Sequence, residues 1–236
     1  DHRLDELTRA AVALVHRARD GSAGERPVRV AGSLPPLETS YRADLVLPDE
    51  VLAEEYGHLA RLLAPRVDIL LCETMASARE ARAAARAACA AADGAPDRPE
   101  VWVSWTMQGN RPGRLPSGEN VEAALASVSD LPVDAHLVNC CGANFVADAV
   151  RRLRNLTDTP LGGYANSAHV DPLPRGEPPV APDQVEHVPQ TPLDVEGYAA
   201  EVATWIDAGA TIVGGCCYTT PAHIARLRRL LDGCPT

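Results

Sequence analysis

The chain has 236 residues, of which 46% are hydrophobic and 23% are charged, and its net charge at pH 7 is −10. These values are typical of a globular protein with a substantial core, and the negative charge disfavours a nucleic-acid-binding surface, which is normally basic. No apolar run reaches the roughly 20 residues that span a bilayer, and the opening residues 1–5 lack the apolar segment of a secretory signal, so we expect a cytoplasmic protein that binds neither membranes nor nucleic acid.

Helical and strand-like segments alternate along the chain. The helical periodicity predicts helices over residues 4–19, 48–63, 77–92, 120–129, 144–156, 194–208 and 221–231. Apolar runs predict strands over residues 28–33, 67–73, 101–106, 135–140, 161–165 and 211–215. Near-continuous apolar strands that alternate with helices are typical of a parallel sheet buried on both faces in an α/β protein.

Two α/β architectures fit this alternation. A Rossmann-type sheet needs a glycine-rich phosphate loop after a strand, and neither G-x-G-x-x-G nor G-x-x-x-x-G-K-[ST] occurs in the sequence. A barrel instead places its active site at the C-terminal ends of its strands. Polar or sulfur-bearing residues gather at those ends in this chain: Ser33, Glu73, Thr106, Asn139, Cys140, Asn166, Cys216 and Cys217.

We therefore predict an α/β fold of the (β/α)8 TIM-barrel type. Only six strands are predicted and the chain opens on a helix, so the first two βα units would be missing from this chain. A sheet that does not close is the alternative. The whole chain, residues 1–236, would form one N-terminally incomplete barrel domain.

The chain has seven cysteines, an odd number. Because the chain is not small and has no secretory signal, metal binding or catalysis is a better explanation for them than a disulfide framework. Cys72 and Cys89 lie in apolar segments and are expected to pack in the core, and Cys234 lies in the tail. The other four form two vicinal pairs at strand ends: Cys140-Cys141 and Cys216-Cys217. Three of these thiols could hold a catalytic zinc ion with a fourth position open, while a redox pair or buried thiols fit the spacing equally well.

Four sequence motifs resemble the homocysteine S-methyltransferase family. The most specific is GATIVGGCCYTTPAHIARL, and VNCCGAN precedes it by some seventy residues. AGSLPPLETSYRAD and VDILLCETMASAREA match two further family segments, so that the resemblance runs from about Val28 to the end of the chain. Membership would imply a (β/α)8 barrel that binds one zinc ion through three cysteines.

Matched motif by motif, the implied zinc ligands are Cys140, Cys216 and Cys217. Glu73 matches the glutamate that holds the amino group of homocysteine, and Asn139 and Asn166 match polar positions that line the pocket. The glycines before the vicinal pair would leave room for close approach to the metal. His223 follows the pair by six residues, and we expect it to cap the last helix and not to bind metal.

The resemblance implies methyl transfer from a sulfonium or ammonium donor to the thiol of homocysteine, giving methionine and thus a role in methionine biosynthesis. The donor would be S-methylmethionine, S-adenosylmethionine or betaine. A free thiol has a pKa near 8.5 and is a weak nucleophile at neutral pH, whereas a thiol bound to zinc is deprotonated. The sequence decides neither the donor nor whether the chain forms a homo-oligomer.

Two departures from the family pattern leave alternatives open. The first family strand, which ends in an Asp-Gly-Gly type loop, has no counterpart here, and Tyr218 stands where the family usually has glycine. A non-catalytic zinc-binding or thiol-sensing barrel without a complete acceptor pocket is therefore the main alternative. A cysteine-based redox enzyme is less favoured, since the sequence has no C-x-x-C. The proline-rich residues 168–192 are predicted to form a lid over the donor site.

Overall fold

The computed structural model describes residues 2–21, 27–174, 177, 181, 183–184 and 188–233. Its helices are α1 His2–Asp20, α2 Asp49–Leu63, α3 Ala78–Asp93, α4 Val121–Ala126, α5 Ala143–Arg154, α6 Val195–Asp207 and α7 Pro221–Leu231. Its strands are β1 Ala31–Leu34, β2 Ile69–Met75, β3 Glu100–Trp105, β4 Ala135–Gly142, β5 Leu161–Asn166, β6 Ala168–His169, β7 Thr191–Pro192 and β8 Ile212–Gly215. All of the predicted helices and strands are confirmed, with shifts at their ends.

The main sheet of the described residues has six strands in the order β1-β2-β3-β4-β5-β8, and every neighbouring pair is parallel. This confirms an α/β fold with a parallel sheet. The sheet forms a half-barrel, because β1 and β8 lie at its two edges and each has one neighbouring strand among the described residues. The sequence predicts a (β/α)8 barrel that lacks its first two βα units in this chain, and a full barrel with these units missing stays a prediction.

Side chains alternate between the two faces of the sheet, and one face packs against the helices. Leu70, Cys72, Val101 and Val103 on this face are fully buried in one core with residues of the surrounding helices. The opposite face carries polar groups near the strand ends. This alternation places apolar side chains in the core on one face of the sheet. Because parallel strands end at the same edge, the polar side chains on the other face cluster at the C-terminal edge.

Local capping residues explain where several helices begin. Ser77 accepts a hydrogen bond from Glu80 N at the start of α3, and Asp194 accepts one from Gly197 N at the start of α6. α7 begins with a capping box formed by Thr220 and His223. These contacts satisfy backbone N–H groups that have no partner within the helix.

The segment between β5 and α6 contains a short antiparallel pair, β6 with β7, which the sequence did not predict. The lid predicted over residues 168–192 includes residues outside the described ranges and stays a prediction. None of the helices in the described part of the chain is long and apolar enough to cross a membrane.

His136 is buried on the helix-facing side of β4, where its ring stacks on Trp105 with a centroid distance of 5.7 Å. Burial lowers the pKa of His136 to about 4, well below its ordinary value near 6.5. Below pH 6.5 His136 therefore binds a proton in the unfolded chain, whereas in the folded chain it binds one only near pH 4. Stability should fall as the pH falls through this window, and this one group should contribute about 3 kcal/mol to the loss.

Urea unfolding of wild type and His136→Gln between pH 7 and pH 4 tests this expectation. The variant should lose about 3 kcal/mol less than the wild type over that range, whatever its stability at pH 7. Equal losses in the two proteins would show that His136 has the same pKa in the folded and the unfolded chain.

Candidate metal centre

Three thiols meet at the C-terminal edge of the sheet. The sulfur atoms of Cys140, Cys216 and Cys217 all lie within 4.8 Å of one another, and Cys140 Sγ is 3.7 Å from Cys217 Sγ. Cys140 lies in β4, while the other two follow β8, and β5 lies between these strands. The structure thus brings together the three residues that the sequence predicts as metal ligands, across more than seventy residues of chain.

Backbone contacts with β5 hold the vicinal pair in place. Cys216 N donates to Ala165 O at 2.8 Å, which extends the pairing of β5 with β8. Asn166 Oδ1 accepts from Cys217 N at 3.2 Å, so the amide at the end of β5 fixes the next residue. Asn166 is 4% exposed, and its predicted contact with substrate stays a prediction.

The spacing and the electrostatics of the three thiols fit a metal ion. A tetrahedral zinc site with Zn–S bonds of about 2.3 Å separates its sulfurs by about 3.8 Å. The hydrogen bond with Cys140 lowers the pKa of Cys216 to about 6. The same hydrogen bond and burial raise the pKa of Cys140, and burial and the neighbouring Cys216 charge raise that of Cys217. A cation bound at the cluster would favour loss of all three protons.

The remaining described cysteines stay outside this cluster. Cys141 points into the core, where it is 6% exposed and burial raises its pKa to about 12. Cys72 and Cys89 are also buried, and burial raises the pKa of both thiols. Their predicted core positions are confirmed, while Cys234 lies outside the described residues.

Unusual backbone geometry is concentrated at this edge of the sheet. In the described ranges, four non-glycine residues have positive φ: Tyr41 at 69°, Thr74 at 60°, Cys140 at 54° and Tyr218 at 64°. The strand register also shifts between Cys72 and Met75 in β2 and between Asn139 and Gly142 in β4. Such bulges re-aim side chains, and strained residues of this kind cluster at functional sites.

Glu73 ends up on the polar face of the sheet beside these strained residues. Its Oε2 accepts a hydrogen bond from Tyr164 OH at 3.1 Å, and its charge opposes ionisation of Cys216. The second effect shows that the carboxylate is electrostatically coupled to the thiol cluster. A half-buried carboxylate in this position could bind a cationic group of a ligand that contacts the cysteines.

Asn139 makes hydrogen bonds with neighbouring strands and is fully buried. Its Oδ1 accepts from Thr74 N at 2.9 Å and from Ser104 Oγ at 2.6 Å, and its Nδ2 donates to Thr74 Oγ1 at 2.8 Å. The two bonds to Thr74 hold this strained residue next to Glu73. The predicted contact of Asn139 with substrate stays a prediction, whereas its role in holding β2 is visible.

His223 is separate from the thiol group. Its Nδ1 accepts from Thr220 N at 3.1 Å, and its Nε2 lies 3.1 Å from Ser167 Oγ. Both ring nitrogens therefore have protein partners, and the predicted capping role is confirmed. A Cβ on Gly215 would lie 2.6 Å from the Thr219 side chain, so the turn after the cysteines needs the space. That the glycines leave room for a metal stays a prediction.

An open cavity of about 460 Å³ lies against the cysteines. Its walls include Cys140 and Cys217 together with Tyr41, Asn166 and Tyr218. A larger groove of about 630 Å³ lies far from this edge, between α2 and α3, and is lined mainly by alanines and arginines. Because the groove contains neither cysteine nor histidine, the smaller cavity is the better candidate for the chemistry.

Four residues of the site were not predicted to act there: Tyr41, Thr74, Ser104 and Tyr164. Tyr41 and Thr74 lie inside two of the family-like motifs, but nothing in those motifs shows that they contact Cys140 and Asn139. Tyr164 lies in an apolar strand beside a glycine pair, and its hydrogen bond reaches Glu73 across 91 positions of sequence. Contacts of this range leave no periodic pattern.

Comparison with known proteins agrees with the site. The family model for homocysteine S-methyltransferase matches residues 1–231. Homocysteine S-methyltransferase of Escherichia coli is 30% identical over 231 residues, which cover 92% of this chain and 69% of that protein.

The chain belongs to the homocysteine S-methyltransferase family.

Solved structures of an enzyme with this activity have the same fold. The metallated form of the homocysteine methyltransferase MmuM from Escherichia coli superposes with a TM-score of 0.74 at 26% identity, covering 96% of this chain and 70% of that one. Its apo form gives a TM-score of 0.71 over 96% of this chain and 73% of that one. The family resemblance and the assignment to a methyltransferase enzyme family are thereby confirmed.

Other relatives are longer than this chain. Homocysteine S-methyltransferase 3 of Arabidopsis thaliana is 27% identical, and the match covers 92% of this chain and 61% of that protein. Selenocysteine Se-methyltransferase of Brassica oleracea is 27% identical over 77% of this chain and 49% of that protein. The chain thus spans between about half and about 70% of the length of these three relatives.

The positive φ of Tyr218 is a backbone conformation that favours glycine, the residue expected here from the family resemblance. Tyr218 is 73% exposed, so packing does not offset the strain of its left-handed backbone. Replacing it with glycine should remove about 1–3 kcal/mol of strain from the folded chain. Part of this gain is offset, because glycine loses more conformational entropy on folding. We expect Tyr218→Gly to raise the free energy of unfolding by about 1 kcal/mol, measured with urea. A decrease would show that the tyrosine ring stabilises the folded chain.

Proposed function

We propose that this chain carries the metal-binding part of a zinc-dependent methyltransferase that transfers a methyl group to the thiol of homocysteine. The observation that carries this proposal is the meeting of the Cys140, Cys216 and Cys217 sulfur atoms at the C-terminal edge of the sheet. Three thiolates suit zinc and leave a fourth position for a substrate atom. Zinc held there would supply the Lewis acidity that lowers the pKa of a substrate thiol.

The chain's own residues would orient the acceptor. The Glu73 carboxylate would bind the ammonium group of homocysteine, with Tyr164 holding one of its oxygens. Asn139 would keep the strained turn at Thr74 in place, and Asn166 would fix the backbone of Cys217. Together these contacts would hold a thiol at one end of the site and an ammonium group at the other, the two groups that homocysteine carries.

The methyl donor is proposed to be a sulfonium or ammonium compound: S-methylmethionine, S-adenosylmethionine or betaine. The homocysteine sulfur would form a bond to the methyl carbon while the bond from that carbon to the cationic sulfur or nitrogen breaks. The donor leaves as a neutral sulfide or amine, the thiol proton goes to solvent, and the product is methionine. Negative charge on the cysteines and Glu73 favours approach of a cation.

A selenol acceptor is the second candidate for the same site, because the chain resembles selenocysteine methyltransferases at 27% identity. A selenol is more acidic than a thiol and would use the same contacts. The cationic donor would be unchanged.

We also propose that residues 1–236 form one barrel domain that two further βα units complete in the whole protein. The support is the pair of edge strands, β1 and β8, which expose unpaired backbone groups in the described part of the chain. Barrels remove such edges by closure. The alternative is a non-catalytic zinc-binding or thiol-sensing barrel that lacks a complete acceptor pocket.

An activity screen tests these proposals. The whole protein, reduced and supplied with zinc, is incubated with homocysteine and each of the three donors, and methionine is measured. With selenocysteine as the acceptor, Se-methylselenocysteine is measured instead. Methionine formed with one donor supports the methyltransferase. Stoichiometric zinc without turnover for any donor would favour the non-catalytic alternative, and full activity without zinc would contradict the metal-dependent reaction.

A further inference from the structure

The hydroxyl of Tyr41 reaches the sulfur of one cysteine of the cluster. Tyr41 Oη lies 2.8 Å from Cys140 Sγ and 2.9 Å from Cys140 O, and the two residues are 99 positions apart. The tyrosine lies in the loop between β1 and α2 and forms part of the wall of the cavity at the thiols. Neither its position in an aperiodic loop nor its residue type predicts this contact.

The hydroxyl has one proton and two acceptors, and the surrounding contacts favour the sulfur. Cys140 O already accepts a hydrogen bond from Thr106 Oγ1 at 3.2 Å. The Tyr41 proton is therefore not needed to satisfy this carbonyl. A thiolate is also the stronger acceptor, because hydrogen bonds to charged groups are shorter and stronger than those to neutral ones.

Other residues already hold the loop in position. Arg79 donates to Val46 O and Leu47 O at 2.9 Å each, and Tyr56 donates to Pro35 O at 2.9 Å. Glu80 Oε1 accepts from Leu37 N at 3.2 Å. These anchors come from α2 and α3 and leave the Tyr41 hydroxyl free to act on the cluster.

Both residues of this contact have a strained backbone, which also indicates a functional role for the contact. Tyr41 has φ 69° and Cys140 has φ 54°. Both conformations are unfavourable for residues with a side chain, and such strain persists where the surroundings enforce a functional geometry. Tyr41 and Cys140 thus both have an unfavourable backbone conformation, and they are the two partners of one hydrogen bond between a phenol and a sulfur atom.

We propose that Tyr41 is a positioning residue of the metal centre, which donates its hydroxyl proton to the Cys140 sulfur and fixes that sulfur for metal binding. This rests on the proposed function only in taking the three cysteines as metal ligands. Partners that hydrogen-bond to metal ligands orient them and tune their electron donation, and losing one typically lowers metal affinity about 10–100-fold.

The test compares Tyr41→Phe with wild type and with Tyr56→Phe. Tyr56 is a matched control, because it is a tyrosine whose hydroxyl donates to a carbonyl of the same loop without contacting the cysteines of the cluster. Zinc affinity is measured by competition with a chelator, and Co²⁺ replaces zinc to follow the sulfur-to-metal charge-transfer band. Tyr41→Phe should lower zinc affinity about 10–100-fold and shift the band, while Tyr56→Phe should change neither.

The outcomes separate this proposal from the proposed function. Unchanged affinity and an unchanged band in Tyr41→Phe, or equal losses in both variants, would overturn the positioning role. A wild type that binds metal without methyl transfer would contradict the enzyme and leave the Tyr41 comparison valid. A wild type that binds neither zinc nor Co²⁺ would overturn both.

Discussion

Replacing Cys216 with alanine should abolish metal binding and methyl transfer together. The hydrogen bond with Cys140 favours the ionised form of Cys216, and its sulfur lies within 4.8 Å of the other two. Two thiolates do not complete a catalytic zinc site, which uses three protein ligands. We expect zinc to fall from about one ion per chain to a small fraction, and the rate to fall more than about 1,000-fold, since metal assistance contributes several kcal/mol.

Two other cysteines provide matched controls for this variant. Cys89→Ala removes a buried thiol in α3, and Cys141→Ala removes the neighbour of the ligand Cys140. Both should keep a full complement of zinc, measured by metal analysis under reducing conditions. Zinc retained in Cys216→Ala, or lost in Cys141→Ala, would contradict the ligand set.

Much of the fold follows from local patterns in the sequence. The last helix was predicted over residues 221–231 and is observed over Pro221–Leu231, because a proline in the first turn and Thr220 before it mark the start. β1 begins at Ala31, although an apolar run from Val28 predicted an earlier start. Strand pairing, which decides that boundary, depends on a neighbour from elsewhere in the chain, and β2 begins only at Ile69.

The candidate site was predicted only in part, because its decisive contacts are remote in sequence. The three cysteines could be named from motifs, and the parallel sheet brings them together. Asn139 was predicted to line the pocket, whereas the structure shows it bonded to Thr74 and Ser104. The Tyr41 contact and the strained backbone could not be read from residue types at all, since they depend on where bulges place each side chain.

Replacing Glu73 with glutamine should weaken the use of homocysteine without affecting the metal. The carboxylate is proposed to bind the substrate ammonium group, and a hydrogen bond to a charged group is worth about 1.5–3 kcal/mol. We therefore expect kcat/KM for homocysteine to fall about 10–100-fold. Zinc content should not change, because Glu73 is not among the three thiol ligands.

A deaminated substrate makes this prediction specific. 4-Mercaptobutanoate keeps the thiol and carboxylate of homocysteine but lacks its amino group, so wild type and Glu73→Gln should use it equally poorly. Glu100→Gln serves as the matched control, because Glu100 lies at the opposite end of the sheet and pairs with Arg29 at 2.9 Å. If Glu73→Gln slowed both substrates by the same factor, Glu73 would act on the thiol cluster, to which its charge is coupled, and not on the ammonium group.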